Sequence, residues 1–187
     1  YDDATKLGKD SHSWLGRLNN IRTALQGQQG DRRLRLGIAG GEWKKMMADA
    51  TARTRFASEV KKIIEQYEFD GVDFDFEWPA NASEYNNYSA TVIQMRSTLG
   101  KYVYFTASLH PVSFKISPEA IDALDFISYQ CYGPAVMRFP YEQFVKDGEA
   151  AVAYGIPKNK LVMGVPFYGS TGSLIAAYCD FVNDGLA

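Results

Sequence analysis

Between residues 55 and 67 the apolar positions Phe56, Val60, Ile63, Ile64 and Tyr67 recur at three- and four-residue steps. That is the period of one face of a helix. Residues 83–99 and 141–154 repeat the pattern, and a helix over about 11–25 precedes the first strand. Residues 174–186 are expected to be helical as well. Between these stretches lie shorter β-rich runs at 34–39, 69–76, 102–109, 124–130 and 161–166. Most successive runs start about 35 residues apart, the size of one strand–helix unit. Such units in series predict a parallel sheet covered by helices.

Two α/β architectures fit this order, an open doubly wound sheet and a closed eightfold barrel. No glycine-rich phosphate loop follows the first strand, where Gly40-Gly41 is only a glycine pair, so nucleotide binding is disfavoured. A complete barrel needs about 200 residues or more. Five strands in 187 residues therefore predict an incomplete (β/α)8 TIM barrel, with 1–187 as a single partial domain. Such a fragment, taken alone, is expected to be poorly soluble and inactive, because its edge strands lack partners.

Composition narrows the function. Hydrophobic residues make up 46%, enough for a packed core. The net charge of −2, with both signs mixed along the chain, lacks the basic face that a nucleic-acid partner requires. No apolar run reaches the roughly 18 residues of a membrane span. No charged-then-apolar leader opens the chain, and Tyr1 is not an initiator Met, so the chain reads as trimmed. Cys131 and Cys179 are expected to be free thiols rather than a disulfide framework.

The chemistry concentrates in one run. From Asp73 the sequence alternates Asp73, Phe74, Asp75, Phe76, Glu77. Side chains of a strand alternate sides, so the three carboxylates share one face while Val72, Phe74 and Phe76 take the other. A core strand of a parallel barrel is normally apolar on both faces. Three charged, unpaired carboxylates there would cost many kcal/mol, so their presence points to function. Crowded carboxylates cannot all ionise cheaply: Asp73 and Asp75 can share one proton. Glu77 stands at the strand's C-terminal end, where barrel active sites lie, and a protonated carboxyl there can protonate a leaving-group oxygen. A divalent cation is the bland alternative, but no Asp- or Asn-rich loop supplements the strand.

The motif Asp70-x-x-Asp73-x-Asp75-x-Glu77, followed by Trp78-Pro79, resembles the signature of the family 18 glycoside hydrolases, the chitinase family. Lys160-Leu-Val-Met-Gly-Val-Pro-Phe-Tyr-Gly169 is similar to that family's seventh barrel strand and its exit loop. The run from Phe126 to Tyr132 is similar to its sixth, and that from Leu36 to Trp43 to its third. The resemblance thus spans about the third to the seventh strand, without the first, second and eighth. Two departures stand out. Where the family usually has Ser-x-Gly-Gly, the chain has Ile38-Ala39-Gly40-Gly41. Where Met-x-Tyr-Asp is usual, it has Gln130-Cys131-Tyr132-Gly133.

The resemblance implies hydrolysis of β-1,4 bonds in chitin or related N-acetylglucosamine polymers, with the substrate's own acetamide as nucleophile and no cofactor or metal. It implies Glu77 as acid and base, Asp75 as the group orienting the acetamide, and Asp73 as its proton-sharing neighbour. Tyr132 would donate to the acetamide oxygen, while Asp70, of opposite parity, is structural. Gln130, Tyr168, Trp78 and Trp43 are candidate sugar contacts. His110 also ends a strand at the correct rim, though a lone His is more often structural. The Gln130-x-Tyr132 variant keeps an endo-β-N-acetylglucosaminidase acting on N-glycans in view. A non-catalytic chitin-binding lectin of the same fold would typically lack the acid at position 77, so Glu77 favours an enzyme. The implied location is secreted or at the cell surface.

Overall fold

The computed structural model describes residues 14–26, 32–132, 141–171 and 174–183. The chain divides into two units, Tyr1–Leu34 and Arg35–Ala187. In the first, helix α1 spans Trp14–Gln26 and buries Gly16 and Leu18. The start expected at residue 11 lies outside the described residues.

The second unit carries a five-stranded parallel sheet. Its strands are β1 (Arg35–Ile38), β2 (Gly71–Phe74), β3 (Tyr104–Leu109), β4 (Phe126–Gln130) and β5 (Leu161–Gly164), paired in chain order. All four pairings are parallel. Each connection is helical: α2 (Trp43–Ala48) with α3 (Ala50–Gln66), α4 (Ala82–Leu99), α5 (Pro118–Ala123) and α6 (Tyr141–Tyr154). Among the described residues β1 and β5 are the edges of the sheet. The five expected strands are all present, each at or inside its expected bounds.

Local chemistry explains where the helices begin. Asp49 accepts from the amide of Ala52 at 2.7 Å to start α3, and Asn81 accepts from that of Glu84 at 3.0 Å to start α4. Ser117 caps α5 with Pro118 in its first turn, where the missing N–H costs nothing. These caps satisfy amides that the first helical turn leaves without partners.

Strand parity then sorts the sheet into two faces. Val72, Phe74, Phe105, Ala107, Leu109, Ile127 and Tyr129 are completely buried. Phe74 is the centre of this face. Its ring meets Phe105 at 4.8 Å, Phe76 at 5.2 Å, Phe56 of α3 at 5.9 Å and Tyr88 of α4 at 6.3 Å. Val60 and Ile64 of α3 and Val92 and Met95 of α4 complete the layer. Gly71 lets β2 and β3 approach here, since a Cβ at that position would stand 2.0 Å from the carbonyl oxygen of Tyr104.

The C-terminal segment corrects one expectation. Over the described part of the helix expected at 174–186, β6 (Tyr168–Thr171) pairs antiparallel with β7 (Leu174–Ala177), and among the described residues the helical part is Tyr178–Asn183, as α7. Positions 184–186 lie outside the described residues. The Leu-Ile-Ala-Ala run is compatible with either state, and backbone pairing with β6 decides it. Asp180 accepts from the amide of Ala177 at 3.1 Å, which marks the change from strand to helix. The Gly172-Ser173 pair between two short runs is a hairpin signal in the sequence.

Candidate active site

Opposite the helices, the same strands present Asp73, Asp75, Thr106, Ser108 and Gln130. Asp73 is paired by register with Gly37 on β1 and with Thr106 on β3. That register brings three donors to one carboxylate. Arg35 Nη1 lies 3.3 Å from Asp73 Oδ1, Ser108 Oγ donates to Oδ2 at 2.9 Å, and the Thr106 hydroxyl donates to Oδ1. Arg35 also donates to Thr106 and lies over the Phe126 ring at 4.8 Å. Asp73 is therefore compensated by a neighbouring strand on each side.

Asp75 has a different environment. Its backbone amide extends the ladder to the carbonyl of Ile38 at 2.9 Å, and Gln130 Nε2 donates to its Oδ1 at 2.8 Å. Burial pushes its carboxyl above the usual range, the Asp73 charge pushes the same way, and the Gln130 N–H opposes both. On one strand face, Asp73 thus has three side-chain donors and Asp75 has one.

Glu77 follows β2 and is exposed. Its peptide bond to Trp78 is cis. The turn that carries it is anchored beyond the acid. Glu84 Oε2 accepts from the amide of Ala80 at 2.8 Å and pairs with Lys44 at 2.8 Å. Tyr132, just beyond β4, is half-buried. Its phenol is raised mainly by burial, then by the charges of Asp75, Tyr168 and Glu77, so it keeps its proton at neutral pH. Tyr168 stands edge-on to Tyr132 with ring centroids 6.3 Å apart. Gly164 leaves room for Tyr132, since a Cβ there would lie 3.4 Å from its ring and 2.9 Å from the carbonyl of Tyr129.

Asp73, Asp75, Glu77, Gln130, Tyr132 and Tyr168 thus gather at the C-terminal ends of β2, β4 and β5. Trp78 is half-buried against His110, with ring centroids 4.8 Å apart. Trp43 corrects its expectation as a sugar contact. It is 5% exposed, with its ring 5.9 Å from Phe76 and 6.1 Å from Tyr88, because opening α2 turns it into the core. Asp70 precedes β2, where its carbonyl accepts from the amide of Tyr104 at 2.9 Å, at the opposite end of the strand from Glu77. Cys131 is buried, Cys179 is exposed, and neither forms a disulfide.

Arg35, Thr106 and Ser108 were not singled out from the sequence. Their signal was available in parity: Thr106 and Ser108 alternate with Phe105, Ala107 and Leu109 as the acids of β2 alternate with its apolar residues. Among the described residues no cluster of three or more His, Cys, Asp or Glu is arranged to hold a metal ion.

The model of the glycosyl hydrolases family 18 matches residues 2–180. A probable chitinase 2 of Drosophila melanogaster is 26% identical over 189 residues, covering 81% of this chain and 37% of its own. A class V chitinase of Arabidopsis thaliana is 25% identical over 167 residues, covering 72% and 44%. The chain therefore spans under half the length of these relatives. In fold it resembles a chitinase from Bacteroides thetaiotaomicron with TM-score 0.80, at 18% identity, over 95% of this chain and 63% of that one.

Proposed function

This chain belongs to family 18 of the glycosyl hydrolases, and we propose that it carries the acid–base centre of a chitinase-type enzyme. The reading takes the chain as the third-to-seventh-strand part of a catalytic domain. Its substrate is chitin or a related β-1,4-linked N-acetylglucosamine polymer. The observation that supports it best is the pairing of Asp75 with Gln130 directly before the exposed Glu77, with Tyr132 beside them.

In the proposed reaction Glu77 protonates the glycosidic oxygen as the bond to the sugar's anomeric carbon breaks. The carbonyl oxygen of the sugar's own 2-acetamido group attacks that carbon, forming a bicyclic oxazolinium ion. Asp75 accepts from the acetamide N–H and balances the positive charge. Asp73, held by Arg35, Thr106 and Ser108, is the proton-sharing neighbour: it takes up the Asp75 proton as the acetamide N–H arrives, so that Asp75 meets the oxazolinium ion as a carboxylate. The Tyr132 hydroxyl donates to the acetamide oxygen, and Tyr168 and Trp78 contact sugar faces. Glu77, now a carboxylate, takes a proton from water as that water opens the ring. Configuration is retained because the anomeric carbon is attacked twice. No metal or cofactor enters. Such a polymer is met outside cells, which assigns the protein to a secreted or surface location. No described helix is long and apolar enough to cross a membrane.

Substrates lacking the acetamide are expected to fail, and a thiazoline mimic of the cyclised intermediate to bind far more tightly than product. These tests belong in the natural polypeptide that contains this chain. Efficient cleavage of cellulose would refute the mechanism. Gln130 in contact with Asp75 supports a second reading, an endo-β-N-acetylglucosaminidase acting on N-glycans. Product profiles on chitin oligomers beside a high-mannose glycopeptide separate the two. A lectin of the same fold would bind both without turnover.

A further inference from the structure

One side chain outside the carboxylate cluster touches both halves of the site. His110 follows β3 directly and is 1% exposed. Its Nε2 lies 3.0 Å from the carbonyl oxygen of Tyr132, and the backbone amide of Val112 lies 3.3 Å from its Nδ1. A carbonyl can only accept and an amide N–H can only donate, so Nε2 carries the proton and Nδ1 does not. These two contacts together select one neutral tautomer. The same ring packs on Trp78, the residue after Glu77, with centroids 4.8 Å apart and planes inclined by 45°.

The chain after His110 folds back to reinforce this arrangement. The amide of Ser113 donates to the carbonyl of His110 at 2.7 Å, and the return bond is 3.4 Å. The Ser113 hydroxyl donates to the carbonyl of Pro79 and accepts from the Tyr85 hydroxyl at 3.0 Å. The segment 110–113 therefore meets the turn after β2 on one side and the end of β4 on the other.

We propose that His110 is a positioning residue that sets Tyr132 relative to the Glu77–Trp78 turn through one neutral imidazole. The inference rests on the roles proposed above for Glu77 and Tyr132. The Gln130–Asp75 hydrogen bond ties the two strands two residues before each group, and beyond it His110 touches both the Tyr132 backbone and the Trp78 ring. Errors of about 1 Å in such spacing cost on the order of a hundredfold in rate. A leucine at 110 would fill similar space, but it would leave the Tyr132 carbonyl and the Val112 amide without this partner. A glutamine could keep an N–H directed at Tyr132.

The test compares His110→Leu, His110→Gln, Tyr132→Phe and the Leu/Phe double variant, in the natural polypeptide, on chitin oligosaccharides. His110→Leu should lower kcat about ten- to a hundredfold with little change in KM, and His110→Gln should recover most of the loss. In the Tyr132→Phe background the leucine should cost much less, because the group it positions is gone. Full additivity, or wild-type kcat in His110→Leu, would overturn the inference. Imidazole 15N NMR supplies a readout that needs no turnover. The resonance that disappears in His110→Gln assigns the ring. His110 should appear as the neutral Nε2–H tautomer at neutral pH, and a charged ring or the Nδ1–H tautomer would overturn the clamp. If the wild-type protein hydrolyses no chitin oligosaccharide, the functional reading fails while the NMR result still decides the tautomer.

Discussion

On the helix side of β2 and β3, Val72, Phe74, Phe105, Ala107 and Leu109 have no exposed surface. One residue along, on the opposite face, Asp73 and Ser108 are half-buried and polar. The two faces come from alternate positions of the same strands. The helix side is held by many small contacts, and Phe74 alone touches four aromatic rings. The polar side is held by few, directional bonds, with Asp73 depending on Arg35, Thr106 and Ser108. Packing tolerates redistribution, whereas a carboxylate that loses a donor has nothing equivalent nearby. The comparison predicts that changes on one face act on stability and changes on the other act on chemistry.

Glu77→Gln is the strongest way to break that contrast. It keeps the shape of an exposed side chain and removes a transferable proton, so turnover should fall by ~10²–10⁴. Oligosaccharide affinity and the thermal midpoint should stay close to wild type. Retained hydrolysis would remove Glu77 from the acid role, and a lowered midpoint would show that the polar face also carries stability. Phe74→Ala is the opposite case. Truncating a completely buried aromatic should cost about 3–5 kcal/mol in denaturant unfolding. Activity per folded molecule should survive at temperatures where the fold holds.

Asp75 yields the smallest and sharpest effect. Its native carboxyl is raised above the usual value of 3.8, first by burial and then by Asp73. The folded state therefore binds this proton more tightly than the unfolded state does. The resulting stability is fully present below the unfolded value and is lost as pH rises through the higher native one. Asp75→Asn should flatten the fall in thermal midpoint across that window, while also lowering activity. An unchanged pH slope would mean that Asp75 is not the group that titrates there.

Strand parity made much of this legible before any coordinates. Alternation placed Asp73, Asp75 and Glu77 opposite Val72, Phe74 and Phe76, and helical periodicity located α3, α4 and α6. Side-chain direction in a strand is local, set by the backbone two residues at a time. Short segments were harder. α2 and α5 are six residues each, too brief for a period to show, and β7 took its state from its partner strand.

The chain's own order of residues determined which positions face which side of each strand, and hence the set of candidate acids. Tertiary structure alone decided what each candidate meets. Trp43 and Trp78 both lie just beyond the end of a strand, yet one turned into the core and the other lies against His110. Arg35 reached Asp73 from 38 residues away, and Gln130 reached Asp75 from 55. Such pairings depend on register between strands, a cooperative property of the packed sheet. No local stretch of sequence contains it.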